Sequence, residues 1–495
     1  MPEAHLLILS LLVPLAGAVL SVLGRGRARW ISLATSAATL MVTSAVLHAA
    51  YTQGPQIYRL GGWAPPYGIV LVADLFSALM AATAALLATF VALHALLSRR
   101  EPLDQALYHS LFLLLLMALC GVFYTGDLFT MYVFMELVIL SSFALVAMAD
   151  RPVSPEATFK YAVLSALGST LLLFGVALVY AGVGTLNMAD IAQRVLQDEP
   201  PPFWGATATL LLFVFLLKGA IFPFHFWQPD AHSAAPAPVS AMLSGIMVKI
   251  GFYGIVRMQT LLFQGAPVLE ILAPLGAATA VFGAFAAVAN RDLKRMLAYS
   301  TISNMGFILL ALGWGGAAGL FAAIINAVNH ALIKGGLFLT GGHIVERLDE
   351  HEMPRMGGMV QLTPGGAVAF GIGGLAIAGF PPLNGFLSKL TLFQAGIAAG
   401  SAWLLGAALL ASALALVYPL RAFVRVFWGD TPARAVQRWS EGESYPGAML
   451  APLLLVLLYV AIGIWPEPLM ALARAATEEL QAPDIYISAV LGGAR

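Results

Sequence analysis

Four lysines, Lys218, Lys249, Lys334 and Lys389, stand inside long apolar runs of this sequence. A lysine at mid-membrane depth costs a few kcal/mol on insertion scales, so each needs a polar surround. Glu136 is the one acidic residue of 25 that falls near the middle of an apolar run. A lone carboxylate does not stay charged in hydrocarbon, so Glu136 is expected to face one of the lysines. His330 precedes Lys334 by one helical turn and shares its face. Lysine and histidine change protonation state readily when desolvated. The chemistry these types support is proton transfer along a buried path, with Glu136 as a switch for Lys218. The bland alternatives are a static Glu136–Lys218 ion pair, lysines snorkelling to an interface, and a packing role for His330. His225 and His232 lie seven apart across prolines, an unpersuasive spacing for zinc. No cofactor and no metal is expected.

The elements that must hold these residues are helices in a bilayer. The chain has 495 residues, 60% of them hydrophobic and 10% charged, with a mean hydropathy of +0.87. That composition excludes a soluble globular protein, and no barrel-type alternation is visible. Net charge is zero, so nucleic acid is not a partner that composition suggests. Cys120 is the only cysteine, which rules out an internal disulfide, a Cys-ligated cluster and a CxxC redox motif. The first apolar run lacks a basic flank before it and has Arg25, Arg27 and Arg29 after it, which suits a retained helix.

Apolar runs fall at 4–23, 30–50, 70–97, 107–124, 127–149, 157–183, 204–225, 236–257, 267–289, 295–313, 317–342, 365–398, 402–427 and 447–466. The expected fold class is an all-α polytopic membrane protein with about fourteen transmembrane helices. Loops after odd-numbered spans carry sixteen basic residues, Lys294 among them. The opposite loops carry five (Arg59, Arg194, Arg257, Arg474, Arg495), and the four lysines named above remain inside. This bias puts the odd loops in the cytoplasm and both termini outside it. Asp74 and Asp127 lie at helix ends, where solvation or capping is expected.

Span seven holds Pro223, and span twelve, too long for one straight crossing, holds Pro381. Both read as broken helices. The two breaks share a Phe-Pro step five spans apart, so spans four to eight and nine to thirteen are expected to be inverted-topology repeats. The expected organisation is an N-terminal three-helix segment (1–104), two five-helix repeats, each a proton half-channel (105–260 and 261–428), and a last span with a tail (429–495). The tail reads as an interfacial helix or a partner-binding segment.

Several stretches carry a family resemblance: Met135-Glu-Leu137, Leu217-Lys-Gly-Ala-Ile-Phe-Pro-Phe-His-Phe-Trp-Gln-Pro-Asp-Ala-His232, and Pro238-Val-Ser-Ala-Met-Leu243. So do Asn329-His-Ala-Leu-Ile-Lys334 and Gly379-Phe-Pro-Pro-Leu-Asn-Gly-Phe-Leu-Ser-Lys389. They resemble the antiporter-like subunits shared by respiratory complex I, membrane-bound hydrogenases and Mrp-type cation/proton antiporters. With Gly61-Gly-Trp-Ala-Pro-Pro-Tyr-Gly-Ile69 and its length, the chain is most similar to the Mrp type. Asn384 departs from the small residue expected there, which keeps a hydrogenase-type subunit open. The resemblance implies Glu136 with Lys218 as a coupling pair, Lys249 and His330 as a central relay with Lys334 beside it, and Lys389 as the terminal proton site. It also implies sodium or another monovalent cation as the exchanged ion, and a hetero-oligomer with other Mrp-type membrane subunits in a bacterial or archaeal cell membrane. The alternative is the proton-pumping subunit of a redox complex. A membrane enzyme acting on lipid-linked substrates would need a polar catalytic constellation in a loop, and the loops are short.

Overall fold

The computed structural model describes residues 4–98, 103, 105–149, 154–197, 200–441 and 446–492. Arg99, Arg100, Arg151 and Arg495, all weighed in the charge bias, and the expected boundary at 104 lie outside these residues. Helices α1 (Ala4–Leu23) and α2 (Ala28–Gln53) lead into a hairpin of β1 (Gln56–Arg59) and β2 (Val70–Ala73). The strands are antiparallel, with Gln56 opposite Ala73 and Arg59 opposite Val70. The span expected from residue 70 therefore starts later, as α3 (Leu75–Ser98), because Val70–Ala73 pairs as a strand. Its first turn is capped by Asp74, whose Oδ1 accepts the Ser77 N–H at 2.8 Å.

Next come α4 (Ala106–Tyr124), α5 (Leu128–Ala147), α6 (Ser154–Val183) and the short α7 (Met188–Gln197). Asp127 caps α5 by accepting the Thr130 N–H at 2.7 Å. The run expected at 204–225 is α8 (Trp204–Lys218), a non-helical stretch, then α9 (Trp227–Ala234). The next run, read as one helix, is divided into α10 (Ala237–Met242), a π-helical turn (Leu243–Met247) and α11 (Lys249–Arg257), with a second π turn at Met258–Leu262. Single π turns often sit at functional sites, because the extra residue leaves helix carbonyls free for other partners.

The second half holds α12 (Leu272–Ala289), α13 (Leu293–Trp314), α14 (Gly316–Leu348), α15 (Met359–Leu362), α16 (Pro364–Ala378), α17 (Asn384–Ala398), α18 (Ala402–Phe427), α19 (Ala433–Glu441) and α20 (Leu450–Ile464). The tail forms α21 (Glu467–Gln481) and α22 (Pro483–Leu491). Among the described residues twelve helical runs are long and apolar enough to cross a membrane, with α10 through the second π turn counted as one. Helices α8 and α16 are apolar but shorter. Helix α14 occupies the middle, packed against α3, α10, α13, α16, α17 and α20. Helices α12 and α13 approach unusually closely. A Cβ on Gly306 would lie 2.2 Å from the Ala280 nitrogen, and one on Gly283 2.4 Å from that of Ser303. Without a hydrophobic drive in lipid, such backbone contact is what holds two helices together.

Candidate functional site

The break after α8 frees carbonyls that one side chain and one backbone N–H then satisfy. Trp227 Nε1 donates to Leu217 O at 2.9 Å, and Ile221 N donates to Leu216 O at 3.0 Å. Lys218, the last residue of α8, is partly buried and donates to Ser165 O at 3.1 Å and Ser169 Oγ at 3.3 Å, both on α6. It lines a cavity of about 20 Å³ with Met135, Tyr161, Ser165, Trp227 and Met247, room for about one water. Glu136 makes no direct ion pair with Lys218: its Oε1 is buried without a hydrogen-bond partner, although its charge acts on the ammonium through space. Glu136 stands on α5 next to Met135, which lines the same small cavity as Lys218.

Lys249 opens α11, one residue after the π turn, and is fully buried. Its ammonium donates to Ser244 O at 2.7 Å, within that turn, and lies 2.6 Å from His330 Nδ1. His330 Nε2 is buried without a partner. One turn further along α14, Lys334 bonds Leu297 O at 3.0 Å and Ser300 Oγ, both on α13. The Ser300 carbonyl in turn accepts from Asn304 Nδ2 at 2.8 Å.

Lys389 on α17 donates to Ala378 O at the end of α16 at 2.6 Å and to Ser412 O on α18 at 3.4 Å. Gly379 permits this: it adopts φ +85°, and a Cβ there would lie 2.5 Å from Lys389 Cδ. Between His330 and Lys389 lies an amide bridge. Asn329 Nδ2 donates to Asn384 O and Ser388 Oγ, both at 3.1 Å, and Asn384 Nδ2 returns a bond to Asn329 Oδ1 at 3.1 Å. The unexpected Asn384 thus ties α17 to α14.

Two residues enter that sequence reasoning missed. Lys294, assigned to a cytoplasmic loop, is fully buried near the start of α13 and donates to Ala235 O. His232, set aside as a poor metal ligand, is fully buried with Nδ1 at 3.2 Å from Gln228 Nε2. The charges of Lys249, Lys294 and Lys334 all act on His232. The usable signal was positional: Lys294, Leu297, Ala298 and Thr301 recur at helical spacing beside a capping Asp292. A polar cavity of about 390 Å³ lies beside this end of the cluster, lined by Glu156, Lys160, Asp230, Ser233, Asp292, Arg295 and His351. Burial alone would raise the Asp292 carboxyl, but His351 and the Arg295 N–H hold it below its ordinary value.

Among the described residues, none of Lys218, Lys249, Lys334 and Lys389 forms an ion pair with a carboxylate; their acceptors are carbonyls, hydroxyls and an imidazole. A cation so placed leaves no orphaned buried anion when it gives up its proton. Residues 125–415 match the family described as NADH:quinone oxidoreductase/Mrp antiporter, transmembrane. The chain belongs to this family. Its members similar to this chain include an Na(+)/H(+) antiporter subunit of Bacillus subtilis, 34% identical over 98% of this chain and 99% of that one. An NADH-quinone oxidoreductase subunit of Desulforudis audaxviator is 34% identical over 94% and 97% of the two chains. Among solved structures, a chain of the Mrp complex from a Dietzia species superposes with a TM-score of 0.91 at 28% identity, covering 99% of this chain and 100% of that one. A chain of the membrane-bound sulfane sulfur reductase, an archaeal respiratory membrane complex, gives 0.87 at 31% identity, covering 99% of both. The chain is a multi-pass membrane protein of this antiporter family.

Proposed function

We propose that this chain is the proton-translocating subunit of a multisubunit monovalent cation/proton antiporter of the Mrp type, exchanging protons for sodium. The observation that carries the reading is the row of buried lysines bonded to neutral acceptors, running from Lys218 through Lys249, His330 and Lys334 to Lys389. Lys249 and His330 act as the central relay, Lys334 stands beside them, and Lys389 is the terminal proton site. Glu136 acts on Lys218 by its field without a direct bond, which suits a switch better than a static pair. Paired α8–α9 and α16–α17 each form one broken span, giving fourteen spans with inverted repeats over 105–260 and 261–428, preceded by a three-helix segment (1–104) and followed by the last span and tail (429–495). Both termini lie outside the cytoplasm, because the basic residues of the odd loops mark the inner side.

The partners in this reading are other Mrp-type membrane subunits, as the similar chains named for an Na(+)/H(+) antiporter and for the Mrp complex suggest. The second reading, a pump subunit of a redox complex, draws on the likeness to the NADH-quinone oxidoreductase chain and to the sulfane sulfur reductase. Purification in mild detergent separates the two. Small membrane subunits without iron–sulfur partners, and sodium-dependent proton release from vesicles containing the complex, are expected. Co-purified iron–sulfur subunits, with proton movement that needs an electron donor, would replace the first reading by the second.

A further inference from the structure

Arg257 ends α11, eight residues and about 12 Å of helix rise beyond Lys249. Its guanidinium is bidentate on the buried Asp74, with Nη1 to Oδ2 at 2.5 Å and Nη2 to Oδ1 at 2.8 Å. It also lies over the rings of Tyr253 at 5.0 Å and Tyr486 at 5.3 Å. Tyr253 OH donates onward to Phe123 O at 2.6 Å, which joins α11 to α4. The C-terminal segment completes the cluster. Tyr486 comes from α22, and Glu479 of α21 accepts the Leu75 N–H on Oε2 at 2.9 Å. Glu479 Oε1 is buried without a hydrogen-bond partner. Asp74, Glu479 and Tyr486 all lie outside the stretch 125–415 that the family shares.

Two carboxylates and one guanidinium leave one excess negative charge in a largely buried space. Both oxygens of Asp74 are taken by Arg257, and Glu479 Oε2 is taken by Leu75. The atom left to carry a neutralising proton is Glu479 Oε1. We propose that Glu479 is a proton-binding positioning residue for the exchange reaction: protonated, it seats the C-terminal segment on the Asp74–Arg257 pair and so fixes the helix that carries Lys249. The link to exchange rests on the function proposed above; the seating does not.

Burial, and then the charge of Asp74, push the Glu479 carboxyl up from 4.5 to about 7. The charged groups facing it are Asp74 and Arg257, with Tyr253 and Tyr486 around the guanidinium. Residues 316–329 of α14 and the π turn Met258–Leu262 carry no titratable side chain. An acid raised in its folded seat stabilises that seat fully below its ordinary value, and the contribution fades as pH rises through the raised value. Seating is therefore firm in acid, weakens above pH 4.5 and is weakest above about 7.

Hydrogen exchange on the intact complex tests this, read on peptides within residues 467–491 and corrected for intrinsic rates. Between about pH 6 and pH 8 the wild-type segment is expected to lose protection roughly tenfold, one pKa unit's worth. Glu479→Gln keeps an acceptor for Leu75 and a neutral head, so it is expected to stay protected at both values. Glu479→Ala, lacking both, is expected to be unprotected throughout. In transport, the Gln variant is expected to lose the wild type's step near neutral pH. Wild-type protection that ignores pH, or a Gln variant that loses it as the wild type does, would overturn the seat. Identical pH profiles of exchange in wild type and Gln variant would overturn the positioning role. If the complex shows no proton-coupled exchange at all, the proposed function fails while hydrogen exchange still decides the seat.

Discussion

The two ends of α11 hold buried cations of opposite design. At one end Lys249 touches a carbonyl and an imidazole and no carboxylate among the described residues. At the other, Arg257 is clamped by both oxygens of Asp74 and by aromatic rings. Arginine does not deprotonate in a protein, and its planar fork matches a carboxylate in two bonds. Lysine is a point charge that yields its proton when desolvated. A buried charge is thus fixed by residue type plus a charged partner, and made mobile by residue type plus neutral acceptors. Depth alone says nothing about which one is present.

The largest expected effects break this contrast at its mobile end. Lys249→Ala and Lys389→Ala should abolish proton-coupled exchange in vesicles while the complex is recovered at normal yield. Lys249→Arg is the sharper version: it keeps the charge, removes the capacity to release a proton, and should be as inactive as alanine. Exchange at wild-type rates in either alanine variant would take that residue off the path.

At the fixed end the expected damage is to stability. Removing one partner of a buried pair costs about 3–5 kcal/mol, because the other charge is left uncompensated. Arg257→Ala and Asp74→Asn should each lower the yield of folded complex, read by size-exclusion profile and thermal unfolding. Removing both charges, as Asp74→Asn with Arg257→Gln, should recover part of the loss. If Arg257→Ala assembled normally and lost only transport, Arg257 would belong with the lysines.

Glu136 tests an intermediate case, a carboxylate that acts on Lys218 without touching it. Glu136→Gln removes the field and should cut exchange severely; Glu136→Asp keeps the charge and should retain part of it. A static pair predicts instead lost yield in single variants and rescue on removing both charges. With no direct bond between Glu136 and Lys218, unchanged yield in Glu136→Gln is expected.

Sequence made the mobile set visible and hid the fixed one. Lys218, Lys249, Lys334 and Lys389 stood out because each interrupts an apolar run. Lys294 did not, because it sits two residues after Asp292 and one before Arg295, where a hydropathy window ends. Its burial comes from the carbonyl of Ala235, 59 residues away, on a segment that only tertiary packing brings near. In sequence Asp74 reads as a solvated or capping helix end and Arg257 as a loop residue; Asp74 does cap α3, yet the two, 183 residues apart in sequence, also meet in a buried bond. Helix ends are ambiguous in sequence: capping, solvation and burial call for the same polar residues there. The tail shows the same ambiguity, since its mixed apolar and acidic pattern becomes two helices folded back onto α3 and α7. The π turns carry no composition signal, so the run through Lys249 read as one helix.

The smallest expected effect concerns neither kind of cation but the neutral amide bridge between α14 and α17. Asn384→Ser removes the bond from Asn384 Nδ2 to Asn329 Oδ1, worth about 1 kcal/mol net for a buried amide pair. It also removes Asn384 Oδ1, a buried acceptor without a partner, and so relieves a desolvation cost. The backbone carbonyl at 384 and Ser388 Oγ still hold Asn329 Nδ2. These opposed terms predict a shift in thermal stability of under about 1 kcal/mol. Exchange should stay within about threefold of wild type, since about 0.6 kcal/mol is a factor of about three. A neutral amide bridge that merely holds α14 to α17 tolerates such a loss. Abolished exchange at full yield would instead put the Asn329–Asn384 bridge on the proton path, and the lysine row would have to be redrawn through it.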